Sequence, residues 1–341
     1  MAVSSSHQDT TSAADAGGIL SPDQIAQFHR DGYLVLPSFF DPAPLLSHSK
    51  HLITNFPLEN HPLTAFTTSD DERGEEAHVG DRYFLDSGDK IHYFFEEGAI
   101  DPATKQLRVP KDRAVNKCGH GLHMLDPTFK EFSFSPQLQN VAKSLGVHKD
   151  PRVLQSMIIC KQPSIGGAVP SHNDSTFLYT DPPSAIGFWF ALEDCTTNNG
   201  CLSFLPGSHR WPKGEQPPPP AYATARPADA HNETLGTARG VNKRFVRKDP
   251  ANPDAGTTFL QLSEKEETSW SEEQPQIAEC KAGTLVLIHG SVLHKSEKNL
   301  SDRSRFIYTF HMIEGDAKYD EKNWLQPTEE HPFPSLFAKQ V

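Results

Sequence analysis

The chain has 341 residues, with 32 Lys and Arg against 44 Asp and Glu, giving a formal net charge of −12, and 36% of its residues are apolar. Mean hydropathy is −0.54, and no apolar stretch approaches the ~18 residues of a membrane span, so a spanning protein is excluded and the shortage of basic charge argues against broad nucleic-acid binding. The five cysteines contain no C-x-x-C pair, which supports neither a disulfide framework nor a thiolate zinc site and fits a reducing cytoplasm.

Residues 1–18 are rich in Ser, Thr and Ala without an apolar segment, and they read as a disordered tail rather than a secretion signal. Residues 19–341 read as a single domain. Ser21-Pro22-Asp23-Gln24 has the form of a helix cap with proline at the first helical position, and Ile25 and Phe28 share one face of the helix that follows. Asp31-Gly32 ends it. Tyr33 to Leu36 reads as a strand, and Pro42 to Phe56 returns to helical spacing. Strand-like runs dominate thereafter: Val153 to Cys160, Ala185 to Leu192, Cys201 to Leu205, Thr284 to Ile288 and Arg305 to Phe310. Between Trp211 and Gly256 lies a polar insertion with Pro217-Pro218-Pro219-Pro220 and no periodicity, expected to be a mobile lid or a surface loop. Short strands with long loops and helices near the front predict a mainly β, two-sheet jelly roll with flanking N-terminal helices.

The chain contains neither G-x-G-x-x-G nor G-x-x-x-x-G-K-[ST] nor G-x-S-x-G, so nucleotide-binding and serine-hydrolase readings fail. It does contain 17 histidines. Non-haem iron takes two His and one carboxylate on one face, leaving the other positions open. His-x-Asp/Glu occurs five times, at His7, His29, His148, His172 and His231, so a single copy means little. Only His172-Asn173-Asp174 lies in an extended setting between strong strand patterns, where a period of two puts both side chains on one face. The third ligand should come from a distant strand, and Thr284 to His294 offers both His289 and His294. In the run from Arg305 to His311, alternation places Arg305, Ile307, Thr309 and His311 on one side and the three aromatics on the other. A guanidinium inside a barrel needs a carboxylate, and a dicarboxylate co-substrate is such a partner.

These residues, with Asp31-Gly32-Tyr33-Leu34-Val35-Leu36, Ser87-Gly88-Asp89-Lys90-Ile91, Asn116-Lys117, Gln155-Ser156-Met157, Asn199-Gly200-Cys201-Leu202, Pro206-Gly207-Ser208-His209 and His294-Lys295-Ser296, carry a resemblance. From about Ser21 to Phe337 the chain resembles the phytanoyl-CoA dioxygenase family of iron(II)/2-oxoglutarate oxygenases. The resemblance implies a cupin-like double-stranded β-helix that holds Fe(II) through His172, Asp174 and His294. It also implies that Arg305 holds the distal carboxylate of 2-oxoglutarate, with Lys117, Met157, Trp189 and Ser296 lining the pocket. Family members place the arginine eleven residues after the distal histidine, which selects His294 rather than His289. The implied activity is oxidation of an unactivated C–H bond of a small or lipid-like substrate, consuming O2 and converting 2-oxoglutarate to succinate. The rival is a non-catalytic relative that keeps jelly roll and metal for binding or regulation. No obligate protein partner is expected.

Several residues have a plain packing reading as well. Trp189 and Met157 lie in apolar strands where core packing is an equal explanation. His120 and His123 lack a carboxylate or thiolate for a second metal, and His209 and His311 are expected to form hydrogen bonds near the site. Arg239, Lys243, Arg244, Arg247 and Lys248 form a basic run that could steer an anionic substrate, though a solvated loop explains it too.

Overall fold

The helix at Ser21 forms as its cap spacing predicts. In the computed structural model, which describes residues 17–65, 82–210, 243–262, 270–271 and 275–338, α1 spans Pro22–Asp31. Ser21 Oγ accepts from the Gln24 amide at 3.2 Å and Gln24 Oε1 accepts from the Ser21 amide at 2.9 Å, so two of the orphan donors are satisfied. Gly32 ends the helix with φ 83°, and a Cβ there would stand 2.5 Å from His209 Nδ1. Glycine is required both for the dihedral and for the close approach.

From this turn β1 (Tyr33–Leu36) enters a seven-stranded sheet, followed by α2 (Ala43–Asn55). The strand order is β1, β11 (Leu285–His289), β6 (Ile186–Ala191), β13 (Ile307–Glu314), β4 (Pro151–Ile159), β3 (Val115–His120) and β2 (Ile91–Phe95). A four-stranded sheet faces it, ordered β10 (Gln276–Ala278), β7 (Leu202–Phe204), β12 (His294–Ser296) and β5 (Val169–His172). The third sheet is the pair β8 (Lys243–Arg247) and β9 (Thr257–Gln261). Every pairing between these named strands is antiparallel, and the two facing sheets make the expected jelly roll.

Alternation along the strands separates two cores. Tyr308, Phe310, Met312, Phe188, Phe190, Leu285 and Leu287 leave the large sheet on the side covered by helices. Ile307, Trp189, Ala191, Val286 and Ile288 point the other way and meet Leu202 and Phe204 of the small sheet. The expected division between the Arg305 row and the aromatic row is therefore the division between barrel interior and helix-covered exterior. Phe188 and Phe310 are fully buried and stack at 4.8 Å. Phe310→Ala is expected to lower unfolding free energy by about 3–5 kcal/mol, since it removes a large buried ring from a close-packed layer; denaturant unfolding measures this.

Two features depart from the sequence reading. After the short α3 (Arg82–Leu85) and α4 (Lys111–Ala114), the helical cover includes α5 (Leu122–Leu125), α6 (Pro127–Ser133) and α7 (Pro136–Leu145), a stretch to which the sequence reading assigns no element. Their signals are present: Pro136 stands at the first position of α7, Leu138, Val141, Ala142 and Leu145 are its buried stripe, and Gly146 ends it with φ 68°. Asp126 caps α6 by accepting from the Thr128 and Phe129 amides. The polar insertion is not all loop either. Residues 211–242 and the tail at 1–16 lie outside the described residues, as does that part of the expected lid. Lys243–Arg247 is a strand because Phe245 is buried in a cluster with Trp324 and Leu325, and the Arg247 amide donates to Lys322 O at 2.8 Å. The strand pairs with nearby β9, but the residues that bury it are some eighty positions away, so its buried face is not announced locally. Among the described residues no helix is long and apolar enough to cross a membrane.

Candidate active site

Strand β5 ends at His172 and Asn173 remains extended, with φ −122° and ψ 144°, before Asp174 opens a 3₁₀ turn. Asp174 is thus just past the strand, and the extended Asn173 keeps it on the same side as His172. Asn173 Oδ1 accepts from the Thr176 amide at 3.0 Å and from its hydroxyl at 3.1 Å, which fixes the turn. Strand β12 lies beside β5 with His294 opposite His172, and the two imidazole centroids are 4.2 Å apart. Ligand atoms of His172, Asp174 and His294 all lie within 4.8 Å of one another, the single such group among the described residues.

The donor set fits a divalent metal. His172 Nδ1 lies 2.8 Å from Pro170 O and His294 Nδ1 lies 3.1 Å from Val292 O. Each carbonyl claims the Nδ1 proton, which leaves an Nε2 lone pair facing Asp174 at 3.6 and 3.7 Å. Burial works against charge on Asp174, but His294 and His311 outweigh it and hold the carboxyl well below its ordinary range. Burial, followed by the neighbouring His172, lowers His294 to about 4. His311 Nε2 stands 3.3 Å from Asp174 Oδ2. Two imidazoles and one carboxylate on one face, with His172 the more exposed member, are the donors non-haem iron takes.

Arg305 precedes β13 and is 2% exposed. Its Nε and Nη1 have no hydrogen-bond partner among the described residues, and its guanidinium lies 5.7 Å from the Trp189 ring. Arg303, by contrast, is exposed. Trp189 and Thr309 are opposed across β6 and β13, and Thr309 and Met157 across β13 and β4. Trp189 therefore serves the inter-sheet core and flanks the arginine together, while Met157 is only half-buried on the same inner face. Lys117 follows on that face, opposite Ile159. It is buried with its Nζ 5.4 and 5.2 Å from the rings of Phe84 and Phe94, and burial pushes its pKa well down. Ser296 stands two residues beyond His294 and accepts at Oγ from Lys161 Nζ at 2.8 Å.

His289 goes elsewhere. It continues the outward row of Leu285 and Leu287, and its ring lies 4.7 Å from His209 and 6.1 Å from Phe28 of α1. His209 lies beside it with Nε2 3.1 Å from His29 O, away from the triad, so of His209 and His311 only the latter is at the site. His120 and His123 face Ser87 Oγ and Ser156 Oγ at 2.7 and 2.8 Å. The basic run is largely used in folding: Arg244 pairs with Asp320 at 3.1 Å, Arg247 donates to Trp324 O, and Lys243 lies over Phe259. Arg239 lies outside the described residues. Sequence reasoning missed Lys161, whose neighbours Cys160 and Gln162 gave no sign that a lysine there is buried.

Comparison with known proteins bears on the family and the fold. The family model described as phytanoyl-CoA dioxygenase matches residues 28–307. A phytanoyl-CoA dioxygenase domain-containing protein 1 of Bos taurus is 41% identical over 324 residues, 94% of this chain and 99% of that protein. The homologue in Caenorhabditis elegans is 40% identical over 316 residues, covering 91% and 97%. Among solved structures, the non-heme alpha ketoglutarate dependent epimerase SnoN from nogalamycin biosynthesis is similar in fold. Its TM-score is 0.51 at 15% identity, over 93% of this chain and 98% of that one. Apo EctD from S. alaskensis is also similar, with TM-score 0.51 at 16% identity, covering 94% and 85%. Since the match spans both sheets and the loops that join them, the chain belongs to the phytanoyl-CoA dioxygenase family.

Proposed function

We propose that the protein is an Fe(II)/2-oxoglutarate-dependent dioxygenase that hydroxylates an unactivated C–H bond of a small or lipid-like substrate. One observation carries this reading: a three-donor open metal group and a buried arginine with unspent donors share one barrel. Hydrolysis by a bound metal needs no such arginine, whereas a dicarboxylate that chelates the metal at one end needs a cation at the other. When bound, iron and 2-oxoglutarate supply the oxidising chemistry, with O2 consumed and succinate released.

In this reading His172, Asp174 and His294 hold the metal, and Arg305 and Ser296 hold the distal carboxylate. Trp189, Met157 and Lys117 shape the pocket and exclude water. Phe177 lies 6.2 Å from His172 and packs against Phe245 and Phe259, an aromatic wall beside the open ligand that suits an apolar substrate. Residues 19–341 act as one catalytic unit, and five free cysteines suit a cytoplasmic setting.

The test is succinate formation from 2-oxoglutarate with Fe(II), screened for stimulation by fractions of cell extract. No conversion in any fraction, with iron bound, sinks the reading. Within it, Arg305→Ala is expected to raise the apparent 2-oxoglutarate constant at least about tenfold, since a bidentate charged contact is worth roughly 1.5–3 kcal/mol. Arg303→Ala should leave it unchanged, and the reverse ranking identifies the wrong arginine.

A further inference from the structure

Lys161 is the buried cation that no step above employs. It follows β4 with φ 35°, a backbone conformation that side-chain-bearing residues rarely adopt. The strain is held in place by its own carbonyl, which accepts from Asn299 Nδ2 at 2.8 Å and from the Arg305 amide at 3.3 Å. The aliphatic stem runs past two glycines. A Cβ on Gly166 would come within 2.8 Å of Lys161 Cγ, and one on Gly200 within 2.6 Å of Cε. Lys161 is 2% exposed, forms no ion pair with a described carboxylate, and ends with Nζ donating to Ser296 Oγ at 2.8 Å.

We propose that Lys161 is a positioning residue for the co-substrate: by donating to Ser296 Oγ it makes the Ser296 hydroxyl an obligate donor to the carboxylate that Arg305 holds. The chemistry follows from the donor inventory. In its ammonium form, the form a bound carboxylate favours, Lys161 has three donors and no lone pair, so the Ser296 hydrogen cannot be spent on it and must point to an acceptor elsewhere. Ser296 shares the inward face of β12 with His294, the side on which a dicarboxylate held by the metal would lie. Burial and the charge of Arg305 lower Lys161 to about 6. A carboxylate bound beside it opposes both effects and favours the ammonium form. Arg305, joined by a Lys161 that a bound carboxylate holds in its ammonium form, favours a dianion over a monoanionic keto acid.

The inference rests on the 2-oxoglutarate reading, and calorimetry of 2-oxoglutarate on the anaerobic Fe(II)-loaded protein separates the two. Failure of the unmodified protein to bind sinks the reading itself. If it binds, Lys161→Met is expected to weaken the Kd by roughly fivefold to tenfold, Ser296→Ala by a similar factor, and the double variant by no more than the larger single effect, because both remove one bond. Iron content should be unchanged in all three. Affinity equal to the unmodified protein in folded Lys161→Met, or single effects that multiply in the double variant, overturns the assignment and leaves the dioxygenase reading standing. Lys161→Gln keeps a shorter donor and serves as the measured variant should Lys161→Met not fold, with intermediate affinity expected and unmodified affinity again overturning it.

Discussion

Asp174→Ala protein is expected to fold, to lose bound iron and to make no detectable succinate. Asp174 is the one carboxylate in the triad, and both ligand imidazoles face it within 3.7 Å. Without it, two neutral nitrogens remain and the negative charge that balances a divalent ion is gone. Losses of outer-shell partners of metal ligands already cost about 10–100-fold in affinity or activity, so loss of a ligand itself should cost at least about 100-fold. Folding should survive because the turn at 174–176 is held by Asn173 and not by the carboxylate. Metal analysis, circular dichroism and succinate assay are the measurements. A folded variant with normal iron and turnover overturns the site.

The second large effect separates two histidines that the sequence offers almost equally. His294→Ala should lose iron and turnover by at least about 100-fold with little change in melting temperature, for the same reason as Asp174→Ala. His289→Ala should keep both iron and turnover. Its ring packs between His209 and Phe28 on the outer face of the sheet, so truncation opens a cavity under α1 and is expected to cost about 1–3 kcal/mol of stability. The opposite pattern, iron lost from His289→Ala and retained in His294→Ala, would remove the basis for Arg305 as anchor along with the ligand assignment.

How much of this was legible follows from where the information lies. The Ser21 cap, the outward and inward rows of β13, and the choice of His172 and Asp174 rest on spacings within a few residues. Such patterns act on the backbone locally and survive any tertiary setting. Helices α6 and α7 carry equally local signals, in the Asp126 cap and in the Pro136 start and Gly146 stop, which stronger strand runs outweigh in the sequence. Other features have no local expression at all. Strand β8 is buried only because Phe245 finds Trp324, and β5 meets β12 only when a chain of more than a hundred residues closes on itself. The burial of Lys161 and the placement of His311 beside Asp174 are of this kind. Sequence determined the residue types, the helix ends and which side of each strand is apolar. The tertiary structure decided which polar residues share the interior, because burial turns an ordinary lysine or histidine into a group whose every hydrogen bond must be accounted for.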